Sequence, residues 1–273
     1  MGKLYLVGTP IGNLGDFSPR AIEVLNRVDY IAAEDTRVTQ KLLNRFEIKN
    51  KAISFHQHNE HEKAPEIIED ILSGKEVALV TDAGMPAISD PGEHLVKLAH
   101  EKGVKIESVP GPTAMATAVA MSGLYTGRFS FEGFLSTNKT SRFEHLEEIK
   151  NHRETLIFYE APHKLLATLK DMLKVLGDRK ISVIKELTKI HETVLLTTLN
   201  DAISYFTENP PKGEYVLVIE GAKKEEIIEQ YTLEDAINLA KKLKAEGLKI
   251  ADAAKEAASV TGLKKSDIYK EIL

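Results

Sequence analysis

Over its first 125 residues the chain alternates short apolar runs with stretches of helical periodicity, and this alternation restricts the fold more than any other feature. Apolar runs at 3–7, 30–33, 52–55, 77–80 and 104–109 predict strands, and the periodic stretches at 19–27, 36–45, 65–72 and 93–102 predict helices. A strand–helix–strand order of this kind predicts a parallel or mostly parallel sheet covered by helices. Ser18-Pro19 is a strong helix start, and Gly74 and Gly103 are suitable helix stops. Small residues dominate from Thr113 to Gly123 and predict a tightly packed helix, after which a first domain, 1–123, ends.

The next stretch reads differently. Strands are expected at 129–135, 155–159, 180–184, 193–197 and 215–220, with helices at 142–150, 163–176 and 201–206. Two strands follow each other without a helix around 180–197, so this second domain, 124–228, is expected to hold a mixed sheet. From Thr232 the pattern becomes purely helical. Thr232-Leu233-Glu234-Asp235 can cap a helix running to about residue 246, and Gly247 and Gly262 separate two more at 250–259 and 265–272. The segment 229–273 therefore predicts a helix-turn-helix-like appendage, too small to build a large core of its own. The fold class is α/β: two α/β domains with a cleft between them, plus a small C-terminal helical domain.

Composition narrows the function. The chain has no cysteine, which excludes disulfides, thiolate catalysis and cysteine-based metal sites. With 42% hydrophobic and 28% charged residues it has the make-up of a soluble globular protein. No apolar run approaches the ~18 residues of a membrane span and no signal-peptide pattern opens the chain, so a cytoplasmic location is expected. The net charge of −5 hides an asymmetry: residues 136–190 carry eleven Lys/Arg against eight acids, and the last 35 residues eight lysines against five acids. A nucleic-acid contact would use those two regions, although two ordinary solvated faces would read the same way.

Four Gly/Pro-rich loops fall at predicted strand ends. They are Gly8-Thr9-Pro10-Ile11-Gly12-Asn13-Leu14-Gly15, Glu34-Asp35-Thr36-Arg37, the stretch from Asp82 through Gly84-Met85-Pro86-Ala87-Ile88-Ser89-Asp90 to Gly92, and Pro110-Gly111-Pro112-Thr113-Ala114. In a parallel sheet all strand carboxyl ends lie on one edge, so the four loops converge there, where ligands of open α/β sheets bind. No phosphate-binding P-loop, Gly-x-Gly-x-x-Gly fingerprint or Gly-x-Ser-x-Gly elbow is present.

Together these loops resemble those of the tetrapyrrole-methylase superfamily. Leu4–Leu14, Ala33–Arg37, Asp82–Gly92 and Phe158-Tyr159-Glu160-Ala161-Pro162-His163 are similar to one branch of it, cytidine 2′-O-methyltransferases of small-subunit (16S) ribosomal RNA. The resemblance spans residues 1 to about 221, and the C-terminal helices match a small domain that many members carry. It implies S-adenosylmethionine as cofactor, held by Pro10, by Asp82, Gly84, Met85, Ile88 and Asp90, by Thr113 and Ala114, and by Tyr159. The family's final strand resembles 214–221 and implies a further contact near 217–220, with Leu217 foremost. It also implies ribosomal RNA within the small subunit as partner and a homodimer; that no metal is held is expected from the residues themselves. A tetrapyrrole C-methyltransferase shares the fold, since fold alone does not name a substrate. A non-catalytic ribosome-binding factor that kept the pocket is a third reading.

Methyl transfer to a hydroxyl gains from alignment, and a base or cation near a weakly acidic ribose oxygen helps. Asp35 as base or orienter, Arg37 as a phosphate contact and Glu186 from the second domain are the expected catalytic residues. An equally weighted alternative has Asp35 capping the next helix while Arg37 pairs with a carboxylate. Glu160 and His163 are balanced between a capped helix start and a substrate contact. His56, His58 and His61 suggest surface histidines near RNA more strongly than a zinc site.

Overall fold

The structure, a computed structural model, describes residues 2–223, 232–261 and 263–272. The chain divides into two compact units, Met1–Ala222 and Lys223–Leu273. The expected boundary at 228/229 and the helix stop at Gly262 lie outside the described residues.

The first unit begins with a five-stranded sheet of β1 (Lys3–Val7), β2 (Tyr30–Ala33), β3 (Ala52–Ser54), β4 (Val77–Val80) and β5 (Lys105–Val109), in the order β3-β2-β4-β1-β5. Every pairing is parallel. β4 is buried at all four positions, which explains its unbroken Val-Ala-Leu-Val run: a central parallel strand is covered on both faces. On one face α1 (Pro19–Arg27) and α2 (Thr36–Arg45) bring Val24, Leu25 and Leu43 against the sheet. On the other, α3 (Glu60–Leu72) and α4 (Glu93–Glu101) bring Ile67, Ile71 and Leu95. Each such fully buried side chain contributes about 1.5–3 kcal/mol. Ser18 accepts the Ala21 N–H and Pro19 occupies the first turn of α1, as its sequence predicts.

α3 departs from expectation. It starts at Glu60 and runs through Pro65, which reads in sequence as a first-turn proline. The earlier start is fixed by Asn59, whose Oδ1 accepts the His56 N–H while its Nδ2 donates to the Ser54 carbonyl. Part of the histidine-rich stretch thereby becomes a turn and the first turn of a helix.

The second sheet follows α5 (Ala114–Met121). It comprises β6 (Phe129–Phe134), β7 (Thr155–Glu160), β8 (Lys180–Lys185), β9 (Thr193–Thr198) and β10 (Tyr215–Ile219), in the order β6-β7-β10-β8-β9. β6 and β7 are parallel, and β10 is antiparallel to both β7 and β8. β8 and β9 form the adjacent antiparallel pair that their sequence spacing predicts. Alternation is clean. Leu156, Phe158, Leu217 and Ile219 face α6 (Lys139–Ile149), α7 (Pro162–Leu176) and α8 (Leu199–Glu208). Ile157, Ile184, Val216 and Val218 face the other way, onto Ala118 and Val119 of α5. The small side chains of α5 let it lie close on this face of the second sheet. α6 and α8 begin earlier than expected because Asn138 and Thr198 cap them.

The second unit consists of α9 (Leu233–Ala245), α10 (Ile250–Thr261) and α11 (Lys265–Ile272). Thr232 and Asp235 form the reciprocal capping box of α9. The core is built of Ala236, Ala240, Ala254 and Ala257 with Ile268 and Ile272, so the helices pack at short range over little apolar area. Among the described residues no helix is long and apolar enough to cross a membrane.

Candidate active site

At the edge where β1, β4 and β5 end, a cavity of about 480 Å³ opens between the two sheets, within the range of ~300–1,000 Å³ common for small-molecule sites. The first sheet lines it with Ile11 after β1, residues 83–85 and 88–90 after β4, and Thr113 and Ala114 at the start of α5. The second sheet contributes Phe134, residues 159–162, Ile184, Leu187 and residues 214–216.

The first-sheet loops are tied together through backbone. Thr9 and Gly84 exchange both N–H···O=C bonds, at 2.9 and 3.1 Å, and the Thr9 hydroxyl donates to the Thr81 carbonyl. Gly8 lies directly against Gly111: a Cβ built on Gly8 would sit 2.7 Å from the Gly111 Cα. No side chain fits in that contact. The 82–92 loop holds Ala87 at φ 65° and Ser89 at φ 60°, a left-handed backbone that non-glycine residues rarely adopt. It is held in shape by the Ala87 N–H to the Pro91 carbonyl and by Glu60, whose Oε1 accepts the N–H groups of Gly92 and His94.

Of the residues expected to hold a cofactor, Gly84, Met85, Ile88, Asp90, Thr113, Ala114 and Tyr159 line this one cavity. Pro10 and Asp82 do not. Pro10 is buried beside Ile11, the residue that reaches the cavity. The Asp82 carboxylate turns to the next loop, accepting the Asp35 N–H at 3.2 Å, while its own N–H donates to Glu34. Leu217 is a correction. It is fully buried on the helix-facing side of the second sheet, and the cavity instead meets Glu214, Tyr215 and Val216. The reason is strand direction: because β10 is antiparallel, its start pairs with the ends of β7 and β8, Tyr215 opposite Glu160 and Lys185.

The expected catalytic groups stand at the right edge but are engaged elsewhere. Asp35 caps α2, accepting the Arg37 backbone N–H at 2.8 Å, and holds the Arg37 guanidinium through bonds of 3.0 and 2.6 Å. These bonds from Arg37 hold the Asp35 carboxyl well below the usual carboxylate range. Arg37 is 87% exposed and its partner is Asp35 itself. The geometry is that of the capping alternative. Glu186, at φ 52°, accepts the Glu214 N–H at 2.9 Å and Lys189 Nζ at 3.1 Å, and the Glu214 bond, then Lys189, pull its carboxyl down. It fastens β8 to the start of β10 and does not line the cavity. Glu160 is buried, bonded to the Thr168 hydroxyl, the Ala161 N–H and Lys164, at the start of α7.

Asp90 behaves differently. It lines the cavity, and its carboxyl is pushed up to about 7, first by burial and then by the charges of Glu34 and Asp82. Tyr159 is also raised, mainly by burial; its oxygen accepts the Met115 N–H at 3.1 Å, and Phe131 and Phe134 pack edge-on against its ring. Three carboxylates and no lysine or arginine line the cavity, a donor set that fits a ligand with cationic groups. Its other surface is largely apolar, with Phe134 and Ile88 partly open to solvent. Histidines border the same edge: His61 and His94 rings lie 4.4 Å apart, and His56 Nδ1 is buried without a partner among the described residues. Among those residues no three His, Asp or Glu side chains are arranged to hold a metal ion.

Sequence reasoning missed Phe134, Leu187 and Glu214. Phe134 closes an edge strand and the other two sit at turns of antiparallel strands, so only the sheet pairing brings them to the cavity.

A model of the tetrapyrrole (corrin/porphyrin) methylases matches residues 3–203. A protein of Synechocystis sp. named ribosomal RNA small subunit methyltransferase I is 48% identical, over 99% of this chain and 97% of its own. One of the same name from Thermotoga maritima is 44% identical over 81% of this chain and 99% of its own, so it has no counterpart for about a fifth of this chain. Among solved structures, uroporphyrin-III-C-methyltransferase from Thermus thermophilus superposes with a TM-score of 0.57 at 20% identity, over 80% of this chain and 94% of its own, which is a likeness of fold. The chain belongs to the tetrapyrrole (corrin/porphyrin) methylase family and, within it, to the group of proteins named ribosomal RNA small subunit methyltransferase I.

Proposed function

We infer that the protein is an S-adenosylmethionine-dependent methyltransferase of small-subunit ribosomal RNA, and that its acceptor is the ribose 2′-oxygen of a cytidine. The observation that carries this reading is 48% identity over nearly the whole chain to a protein named for methylating that RNA. The cavity supports it. Backbone groups of Ala83, Met85 and Ala114 offer hydrogen bonds, the Phe134, Tyr159 and Leu187 surface suits a flat heterocycle, and the carboxylate-rich lining suits a sulfonium. Bound there, S-adenosylmethionine supplies an electrophilic methyl group. The chain's own residues hold the ligand against an apolar wall, keep water from it and fix its orientation, which lowers the barrier through alignment.

The reading extends to the acceptor's setting: the assembled small subunit in the cytoplasm, approached by the basic stretch 136–190 and by the lysines of the helical unit. It also includes a homodimer, for which Met121, Val194 and Leu196 offer exposed apolar side chains.

Transfer of tritiated methyl from S-adenosylmethionine to under-methylated small subunits tests it, with label expected in RNA at a cytidine ribose. Label in a tetrapyrrole and none in RNA would replace the acceptor. Cofactor binding without transfer to either would turn the reading to a non-catalytic factor.

A further inference from the structure

Seven carboxylates gather around the cavity edge, and six of them are engaged. Glu34 accepts the Asp82 N–H, Asp82 accepts the Asp35 N–H, and Asp35 holds Arg37. On the second sheet Glu160 is bonded to Thr168 and Lys164, and Glu186 and Glu214 share Lys189. Asp90 alone lines the cavity with neither an ion pair nor a hydrogen bond to its carboxylate among the described residues. The backbone under it is fixed, between Ser89 in a left-handed conformation and the Pro91 carbonyl bonded to Ala87.

We propose that Asp90 is the general base that takes the proton of the acceptor hydroxyl during methyl transfer, an assignment that rests on the methyltransferase reading above. The acceptor oxygen forms its bond to the methyl carbon as the carbon–sulfur bond breaks. The bonding pair stays on sulfur, which becomes a neutral thioether, and the hydroxyl proton passes to an Asp90 oxygen and then to solvent. A free carboxylate in the cavity wall meets the geometric demand on such a base, which must reach the proton without first leaving another partner. Across from it, the Tyr159 oxygen is occupied by the Met115 N–H, which leaves the phenolic proton to orient a bound ligand. Burial, with Glu34 at the end of β2 and Asp82 at the end of β4, makes Asp90 a stronger base than an ordinary carboxylate while leaving it about half ionised near neutrality. Glu60, which accepts the nearby Gly92 and His94 N–H groups, Tyr159, Glu160 and Glu214 in the cavity wall, and His56, His61 and His94 at the same edge are the other titratable groups around this loop.

Asp90→Asn keeps the shape of the side chain and tests the assignment with three readings. Single-turnover transfer to under-methylated small subunits is expected to fall about 100-fold or more, and to lack the rise through about pH 7 that the assignment predicts for the wild type. The calorimetric Kd for S-adenosylmethionine is expected to rise by no more than about tenfold, a smaller factor than the loss of transfer, because Asp90 also lines the cofactor cavity. The variant's Tm, relative to wild type without ligand, is expected to grow from about pH 4 to about pH 7, because only the wild type must give up a proton that its folded state retains. Transfer within about threefold of wild type, or a loss of transfer matched by an equal loss of cofactor affinity, overturns the assignment. A wild type that labels no RNA overturns the methyltransferase reading itself, which an active wild type with an equally active variant does not.

Discussion

In the parallel sheet β1, β2, β4 and β5 all end at one edge, and what they deliver there is mostly backbone: Gly8 on Gly111, Thr9 paired with Gly84, and a loop with two left-handed non-glycine residues. In the mixed sheet β10 runs against β7 and β8, so the facing wall combines three strand ends, those of β6, β7 and β8, with a strand start, and what it delivers is mostly side chains: Phe134, Tyr159 and Leu187. The same cavity is thus built by two different means. Backbone contacts tolerate no added atom, whereas side-chain contacts lose only what a truncation removes.

The sharpest way to break this comparison is Gly8→Ala. Its Cβ would lie 2.7 Å from the Gly111 Cα and N and 2.8 Å from Met85 Sδ. A loss of about 2–3 kcal/mol in urea unfolding is expected, with the Kd for S-adenosylmethionine rising about tenfold or more. A variant with unchanged stability and affinity would show that the two loops are not fixed by backbone contact.

Removal of residues 223–273 should leave that Kd unchanged and lower transfer to small subunits about tenfold at limiting subunit concentration. Equal loss of both would make them a support of the first unit. A smaller effect is expected on the mixed-sheet side. Phe134→Ala removes a half-exposed ring in edge-on contact with Tyr159. Its cost should be about 1 kcal/mol in cofactor binding, a Kd about fivefold higher, with little change in Tm.

The smallest effects belong to the carboxylates that the sequence makes prominent. Asp35→Asn keeps a helix cap and Glu186→Gln keeps an acceptor for the Glu214 N–H, so transfer within about threefold of wild type is expected for each. Because the Asp35 carboxyl is depressed in the folded state, its stabilisation is present above about pH 4 and fades as pH falls through that range. The Tm gap between wild type and Asp35→Asn should therefore close in acid. A collapse of transfer at unchanged Tm in either variant would restore that residue to catalysis.

The first sheet was legible in sequence because parallel strands alternate with helices and each reads locally. β2 and β4 fall where their apolar runs lie, and β3 and β5 are each one residue shorter than expected. α3 was misread because Pro65 looks like a first-turn residue, while the true start depends on Asn59 bonding back to Ser54 and His56. The second half of the cavity was legible only as strands. Their direction is set by pairing between residues far apart in the chain, so the sequence pattern points to 217–220 whereas 214–216 face the cavity. The carboxylates show the same limit. Asp35, Glu186 and Asp90 are equivalent as letters, and only their neighbours distinguish a cap, a fastener and a free acid.

The central claim is that one cofactor lies between these two unlike walls, and a crystal structure with S-adenosylmethionine bound tests it most directly. The account predicts contacts to residues 83–90 and 113–114 on one side and to residues 159–162 or 214–216 on the other. Density for the cofactor against one sheet alone, or anywhere outside this cavity, would contradict it.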